Sequence, residues 1–326
     1  MNKAYDYISS LVKKYAILFV LIGLVFIFSI MSPNFLTWMN IKNLLMQNTH
    51  TLIVAVGLSF VMMSGALDLS VGYQVSAISV LTGMLMTVKH VNPLIAMLCG
   101  IALGLIFGAF NGTLSVILKV HPIVITIGTA SIFQGISYII SKGAAYPNMP
   151  DSFRLITRGH FLGLGIDVWL AILFVAIVSV IYNKTYFGRY VKAMGGNAEA
   201  TRLAGVNTDF IRIATFVING FFIAIAAFIL MSKQGTTNST VGPGIEITGM
   251  TAAILGGISF NSGEGKMWGL VIGVFMLSII RNGMQLAGWN QYIQFIVSGL
   301  VFLAAIAFDQ IKRIKASSGG SVKKMM

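Results

Sequence analysis

Long apolar runs alternate with short polar breaks along almost the whole chain. A membrane-spanning helix needs roughly 17–25 mostly apolar residues, and most of these runs approach or reach that length. We expect ten spans, at residues 16–31, 44–64, 70–88, 93–118, 122–140, 166–183, 211–232, 246–260, 266–284 and 290–308. The pattern therefore predicts an all-α integral membrane protein, a polytopic bundle of about ten transmembrane helices in a single domain over residues 1–326.

Composition agrees with this pattern. Of the 326 residues, 56% are hydrophobic and 10% are charged, and the mean hydropathy is +0.87. A soluble domain carries roughly 25% charged residues. The single cysteine, Cys99, excludes an internal disulfide. The formal net charge of +13 comes from Lys and Arg residues at the ends of apolar runs, where membrane topology favours them, so we expect no nucleic-acid partner.

The distribution of Lys and Arg predicts the orientation. With the N-terminus inside, 15 of the 22 basic residues fall on the cytoplasmic side. We therefore expect both termini in the cytoplasm, with tails at 1–15 and 310–326 and a cytoplasmic loop at 184–212. The segment 141–167 becomes an extracytoplasmic loop, and the basic end at 316–326 is expected to be disordered.

Some spans are interrupted by glycines and a carboxylate. Asp68 lies between Gly65 and Gly72, where two spans meet, and Glu246 follows Gly242-Pro243-Gly244 at the start of another. An ionisable residue or irregular backbone at membrane depth usually faces protein or water inside a bundle. Broken or re-entrant spans that line a cavity are typical of transporters, although Asp68 fits a helix-capping carboxylate at a membrane edge equally well.

A small set of polar residues within or beside the spans could line or gate a pathway. Uncharged amides and hydroxyls bind sugar hydroxyls, but they also hold helices together, and for any single residue the second role is the commoner. The candidates for the pathway and its gates are Asp68, Ser70, Thr126, Gln134, Asn219, Glu246, Asn282 and Gln285.

A faint internal repeat divides the chain into halves. The segment GLIFGAF at 104–110 aligns with GLVIGVF at 269–275, 165 residues further on. The two segments would cross the membrane in opposite senses, as an inverted five-plus-five repeat requires. Independently of any repeat, glycines four residues apart in both segments predict close helix packing.

The longest polar and basic interval, at 182–212, contains a short helix signature. Gly195 and Gly196 break the chain, Asn197 can cap the helix that follows, and Gly205 can end it in a left-handed conformation. A helix of about two turns is unstable alone in water, so it needs the membrane bundle behind it or a partner in front. An ordinary basic cytoplasmic loop is the alternative.

Signatures of enzymes are missing from the sequence. The segment GEGK at 263–266 resembles a phosphate-binding loop, but Phe260 and Met267 occupy positions that such a loop requires to be Gly and Ser or Thr. The four histidines are scattered, and common nucleophile and metal-binding patterns are absent. We therefore expect no catalytic residues, no cofactor and no metal site.

Five segments carry a resemblance to a known family. Their sequences are PNFLTWMNIKNLL at 33–45 with GLSFVMMSGALDLSVG at 57–72, HPIVITIGTASIFQGISYIISKG at 121–143, NKTYFGRYVKAMGGNAEATRLAGVN at 183–207 and GPGIEITGMTAAILGGISFNSGEGKMWGLVIG at 242–273. Together they resemble the simple-sugar ABC importer permeases of bacteria, the ribose and galactoside type. The segments follow the family order over essentially the whole chain.

The resemblance implies a permease subunit of the bacterial inner (plasma) membrane without its own ATPase site. Its implied partners are two ATP-binding cassette ATPase subunits, a second permease subunit, an extracytoplasmic sugar-binding protein and membrane lipid. The segment 196–205 would be the coupling helix that docks on the ATPase. The residues implied in coupling are Gly195, Gly196, Asn197, Glu199, Ala200, Arg202, Leu203 and Gly205.

The chain departs from the family pattern at three positions. Thr201 stands for a frequent alanine and Val206 for isoleucine, and both changes are conservative. Ser262 replaces the first glycine of a pair, at a turn whose backbone can need a positive φ.

Two alternative functions remain at this stage. One keeps the family and changes the cargo to branched-chain amino acids, nucleosides or a signalling furanoside. The other is an ion-coupled secondary carrier, which would usually place more carboxylates within its spans.

Overall fold

The computed structural model of the chain describes residues 18–322, with the backbone alone at residues 308, 309 and 311–322. The expected tail at 1–15 and the last four residues lie outside the described residues. The helices are α1 (Leu18–Met31), α2 (Trp38–Gln47), α3 (Thr49–Met63), α4 (Val71–Thr87), α5 (Pro93–Ile117), α6 (Pro122–Ser141), α7 (Asp151–Arg158), α8 (Ile166–Lys184), α9 (Tyr186–Gly196), α10 (Ala198–Leu203), α11 (Thr208–Gln234), α12 (Ile245–Leu255), α13 (Met267–Leu286) and α14 (Gln291–Val322). Two short antiparallel strands, β1 (His160–Phe161) and β2 (Leu164–Gly165), form a hairpin between α7 and α8.

Within residues 18–322, five helices are long and apolar enough to cross a membrane: α5, α6, α8, α11 and α13. The consecutive helices α2 and α3 reach that length and apolarity together, but they bend by 42° at Asn48. Shorter apolar helices are α1, α4, α12 and the part of α14 from Gln291 to Ala307. The protein is therefore a polytopic helical membrane protein, as the hydropathy pattern predicts.

Two predicted spans differ from the helices in their bounds, and two segments expected to be irregular contain regular structure. The span expected at 44–64 is divided by the bend at Asn48, and the span expected at 246–260 ends at Leu255, where Gly256 and Gly257 begin a loop. The loop expected at 141–167 contains α7 and the hairpin, and Tyr146 forms a β-bridge with Thr237. The expected disordered end at 316–326 is helical through Val322 in its described part.

Helices α3 and α11 form the centre of the bundle, and glycines bring their neighbours close. A Cβ atom at Gly104 or Gly108 of α5 would overlap a backbone carbonyl oxygen of α11, at Gly220 or Phe216. The helix α13 meets α12 in the same way, because a Cβ atom at Gly273 would overlap the carbonyl oxygen of Ala252. The prediction of close packing at the two glycine pairs is confirmed.

Short helices distinguish the two ends of the bundle. At the α10 end, Gly195 of α9 contacts the last residue of α3, Met63. At the α7 end, the Thr157 hydroxyl of α7 lies 2.7 Å from the Ser232 hydroxyl in the last turns of α11. The chain thus presents a different set of loops at each end of α3 and α11.

A buried ion pair and its hydrogen bonds tie four helices together at the α7 end, namely α2, α3, α8 and α11. The Lys233 Nζ lies 3.2 Å from Oδ2 of Asp167, whose side chain is fully buried at the start of α8. The Thr49 hydroxyl donates to the same oxygen at 2.6 Å, and Lys233 also donates to the carbonyl of Met46. The ammonium and the carboxylate each have a charged partner, which makes their burial tolerable.

Candidate functional site

The break between α3 and α4 holds a fully buried carboxylate. The Oδ1 of Asp68 accepts hydrogen bonds from the amide of Ser70 at 2.9 Å and from its hydroxyl at 2.6 Å. The Oδ2 accepts from the side-chain amides of Asn219 at 2.9 Å and Gln74 at 3.3 Å. Four donors therefore converge on this carboxylate, so it does more than cap α4 and joins α4 to α11.

Side chains from α5 and α6 extend this hydrogen-bonded cluster. Asn111 of α5 donates to the Ser70 hydroxyl at 2.8 Å. On the other side, the backbone amide of Leu69 donates to Thr126 of α6 at 3.1 Å. The irregular segment between α3 and α4 is thus attached to α5, α6 and α11 by side-chain hydrogen bonds, which satisfies polar backbone at membrane depth.

A cavity of about 610 Å³ lies beside this segment. Its lining includes Leu69 and Tyr73 from the α3–α4 region, Gln134 and Tyr138 from α6, and Glu246 from α12. The Gln134 side chain donates to the carbonyl of Ser239 at 2.9 Å, and its buried Oε1 has no protein partner among the described residues. Aromatic rings beside amide groups suit a polar, hydroxyl-bearing molecule.

The side chain of Glu246 folds back onto the N-terminus of its own helix, α12. Both of its carboxylate oxygens lie close to the amide of Gly244, at 3.0 and 3.1 Å, and the residue is 7% exposed. A Cβ atom at Gly72 would overlap this carboxylate and the carbonyl of Gly242. The first turn of α4 therefore meets the loop that leads into α12 backbone to backbone, and glycine is required on both sides.

Six of the eight candidate pathway residues lie at the α3–α4 break or in the adjoining cavity, and two lie elsewhere. Asp68, Ser70, Thr126 and Asn219 come together at the α3–α4 break, and Gln134 and Glu246 line the adjoining cavity. The structure does not bring Asn282 or Gln285 to this region. Asn282 forms a paired amide contact with Asn40 of α2, both hydrogen bonds being 2.9 Å, and Gln285 is exposed near the end of α13.

Two members of the buried cluster, Gln74 and Asn111, are not among the candidate pathway residues predicted from the sequence. Both are fully buried in helices of mostly apolar residues, α4 and α5. Asn111 was noticeable as an amide inside an apolar run, yet its spacing from Ser70 gives no sign that the two side chains meet. Only the packing of α4 against α5 brings them together.

The short helix expected after Gly196 is present. Asn197 caps α10 by accepting a hydrogen bond from the amide of Ala200 at 2.9 Å, and Gly205 has a φ of +85° just beyond its end. Gly195 and Gly196 do not break the chain, however, because they are the last two residues of α9. The helix α9 itself was not predicted.

The outer face of α10 is exposed in the part of the chain that the structure describes. Leu203 is 78% exposed, and Ala200 is exposed as well. Glu199 and Arg202 pair on this face at 2.8 Å. The hydrogen bond and the charge of Arg202 lower the pKa of Glu199, so the carboxylate is ionised at neutral pH. The inner face is held by Thr201, which is buried.

The corner between α9 and α10 packs against two loops of the bundle. A Cβ atom at Gly195 would overlap the carbonyl oxygen of Met63 and would lie 2.8 Å from the Cα of Gly263. Arg212, at the start of α11, also donates to the hydroxyl of Ser64 at 3.1 Å. The α9–α10 corner therefore touches the end of α3 and the loop between α12 and α13 at the same point.

The departure at Ser262 is compatible with this geometry. Gly263 has a φ of +67°, and Ser262 is not among the residues with positive φ. A Cβ atom at Gly263 would also overlap the carbonyl of Lys192. The glycine that the turn needs is therefore the second of the family pair, and it is retained.

Comparisons with known proteins agree with this architecture. The profile of the family described as branched-chain amino acid transport system / permease component matches residues 40–306. The ribose import permease protein RbsC of Bacillus subtilis is 32% identical over 89% of this chain and 90% of its own length. The L-arabinose transport system permease protein AraH of Escherichia coli is 34% identical over 92% and 91%. The galactose/methyl galactoside import permease protein MglC of Haemophilus influenzae is 30% identical over 96% and 98%.

No solved structure gives a significant match. The family profile nevertheless covers most of the chain, and the sugar permeases match it almost from end to end. The resemblance seen in the sequence is therefore confirmed, and the chain belongs to the family of ABC importer permeases that includes these ribose, arabinose and galactose permeases.

Proposed function

We propose that the cargo of this permease is a simple sugar of the ribose, arabinose or galactose class. The observation that carries the proposal is the identity of 30–34% with permeases named for these three sugars, over about nine tenths of the chain. The cavity beside Leu69 supports it, because Tyr73, Tyr138 and the unpaired Oε1 of Gln134 suit the faces and hydroxyl groups of a sugar. Branched-chain amino acids, nucleosides and a signalling furanoside are the competing cargoes.

The coupling helix is the second part of the proposal. Two ATPase subunits would dock on a pair of permeases, each through the exposed face of α10, and an extracytoplasmic sugar-binding protein would deliver the cargo. The contacts of Gly195 with Met63 and Gly263 support this, since a push on α10 would reach both interrupted spans directly. The ordering of a two-turn helix costs little once the bundle holds its base.

The path from α10 to the cavity is short. Met63 and Ser64 begin the segment that ends at Leu69, and Leu69 lines the cavity. The hydrogen bonds of Asp68 make this segment a rigid link. We infer that displacement of α10 by the ATPase opens and closes the cavity through this segment, which gives alternating access without an ATPase site in the permease itself.

We propose ten membrane crossings, with the α10 end in the cytoplasm and both termini on that side. The five long helices, the bent pair α2–α3 and the four shorter apolar helices would supply them. The membrane would be the bacterial inner membrane, and residues 1–326 would form one permease domain. The excess of basic residues in 184–212 and in the tails supports this orientation.

An inverted repeat of five spans is consistent with several matching features. Helix α3 is followed by Gly65 and α11 by Gly235, both with positive φ, and each break leads to a short apolar helix, α4 or α12. The first turn of α4 at Gly72 meets the segment just before α12 at Gly242, as halves related by an axis in the membrane plane would.

A transport assay tests the proposed cargo and energy source together. The permease, its ATPase and the binding protein would be reconstituted in vesicles and supplied with labelled ribose, arabinose or galactose. We expect uptake of one of these sugars that depends on ATP and persists when ionophores collapse proton and sodium gradients. Uptake that follows an ion gradient without ATP would instead support a secondary carrier, and uptake of leucine alone would support the amino-acid alternative.

A further inference from the structure

The surface where α8 passes into α9 carries exposed aromatic and basic side chains. Tyr186 is 71% exposed and Tyr190 is 38% exposed, and Lys184 and Arg189 are exposed beside them. The guanidinium carbon of Arg189 lies 4.4 Å from the centroid of the Tyr186 ring. These four residues form the α8–α9 patch.

The patch continues an apolar stripe that faces away from the bundle. Along α8, Leu173, Ile177 and Val180 are exposed by 53%, 43% and 57%, and Lys184 follows at the same helical spacing. An apolar stripe on a spanning helix faces lipid tails, so its basic end lies at the depth of the headgroups. Tyrosine is enriched at that depth, since its ring is apolar and its hydroxyl is polar.

The position of the patch is fixed by a tight turn between the helices. Thr185 caps α9 by accepting from the amide of Gly188, and a Cβ atom at Gly188 would overlap the carbonyl of Ile181. Helix α9 therefore folds back against the last turn of α8, with Val191 and Met194 buried. This arrangement keeps Tyr186 and Arg189 beside Lys184 at the end of the stripe.

The patch has positive charge without a protein counterion. Among the described residues, the ion pairs involve Arg158, Arg202 and Lys233, and none includes Lys184 or Arg189. An exposed Arg forms two-pronged hydrogen bonds with phosphate, and Lys provides a second cation for the same group. We propose that the α8–α9 patch binds the headgroup of an anionic phospholipid, with Arg189 and Lys184 on the phosphate and Tyr186 and Tyr190 at the glycerol level.

A lipid competition on the full-length permease tests the proposal. The protein in neutral detergent would be mixed with equal amounts of phosphatidylglycerol and phosphatidylcholine of matched acyl chains, and native mass spectrometry would count the retained lipids. One Lys or Arg near an anionic surface contributes about 1 kcal/mol, which corresponds to about a fivefold change in preference. We expect Arg189→Gln to lower the preference for phosphatidylglycerol about fivefold and Arg189→Lys to restore most of it.

A matched control separates the patch from general charge. Arg158→Gln removes an exposed cation at the α7 end, where Arg158 lies 3.7 Å from Asp151, and should leave the preference unchanged. An unchanged preference in Arg189→Gln, or an equal loss in Arg158→Gln, would overturn the proposal. Should Arg189→Gln keep its lipid preference but lose the ATPase in a pull-down, the patch would belong to the ATPase interface instead. The lipid count uses neither ATP nor sugar, so its failure is distinguishable from failure of the proposed transport function.

Discussion

The side-chain amide of Asn219 donates to the carboxylate of Asp68 across 2.9 Å, although the two residues are 151 positions apart. Asn219 lies within the longest buried helix, α11, and Asp68 lies in the break that leads from α3 to α4. This contact attaches an irregular segment to a continuous helix. It anchors the segment that lies between the α9–α10 corner and the cavity lined by Leu69.

Replacement of Asp68 by Asn should damage both stability and transport. The Asn amide would turn an N–H group towards donors that now serve the carboxylate, leaving buried groups unsatisfied at a cost of about 1–3 kcal/mol. Thermal unfolding in detergent and ATP-driven uptake measure the two effects. Asp151→Asn is the control, since that side chain is 94% exposed and should behave as wild type. Normal uptake and an unchanged unfolding midpoint in Asp68→Asn would show that the negative charge is dispensable.

Gly195→Ala should uncouple ATP hydrolysis from transport. Its Cβ would overlap the Met63 carbonyl and force the α9–α10 corner away from α3. The neighbouring change Gly196→Ala is the control, because the nearest atom to its Cβ is the Ser262 oxygen at 3.5 Å, an ordinary contact. We expect the sugar imported per ATP hydrolysed to fall several-fold in Gly195→Ala alone. Equal ratios in the two variants would remove the support for a mechanical link at Gly195.

The sequence predicts the helix α10 and the close helix contacts well, because the signals for both lie within short stretches of sequence. Asn197 followed by helix formers and then by Gly205 predicts the capped helix, and glycines four apart predict the close helix contacts. The helix α9 was not predicted, because basic residues and glycines interrupt the apolar pattern to which its buried side chains Val191 and Met194 belong.

The members of the buried cluster could be predicted only in part. Asp68 stands out as a carboxylate at membrane depth, but its partners come from α4 and α11, and nothing in their sequence spacing indicates that they meet. Asn282 looks equivalent to Asn219 in the sequence, yet packing pairs it with Asn40. A polar residue in a spanning helix marks a candidate for a buried contact, and the packing of the bundle determines its partner, as for Asn219 and Asn282, or leaves it exposed, as for Gln285.

Glu199→Lys should weaken capture of the ATPase by the permease. Glu199 is ionised and lies on the exposed face of α10, so its replacement places a second cation beside Arg202, where an ion pair stood. A pull-down of the ATPase with the purified permease measures the effect. The double variant Glu199→Lys/Arg202→Glu restores the local ion pair with its direction reversed. We expect this double variant to capture the ATPase as poorly as Glu199→Lys, because the ATPase would meet a cation at position 199 and a carboxylate at position 202. Recovery of capture would mean that only the stability of α10 matters.

Lys233→Met should destabilise the α7 end by leaving Asp167 buried without its cation. Removal of one partner from a buried ion pair typically costs about 3–5 kcal/mol, since the remaining charge stays in a poorly solvated place. The Asp167 side chain is fully buried and retains only the Thr49 hydroxyl as a donor. The surface pair of Arg158 and Asp151 is the matched comparison, because exposed pairs contribute about 0–1 kcal/mol. Thermal unfolding of the two variants Lys233→Met and Arg158→Met should therefore differ clearly, with the midpoint lowered in the first and nearly unchanged in the second.

The double variant Lys233→Met/Asp167→Asn removes both charges and should recover much of the loss of stability. Equal midpoints in Lys233→Met and wild type would mean that the Asp167 carboxylate reaches water when Lys233 is absent, and a failure of the double variant to recover would assign the loss to the packing of the Lys233 side chain.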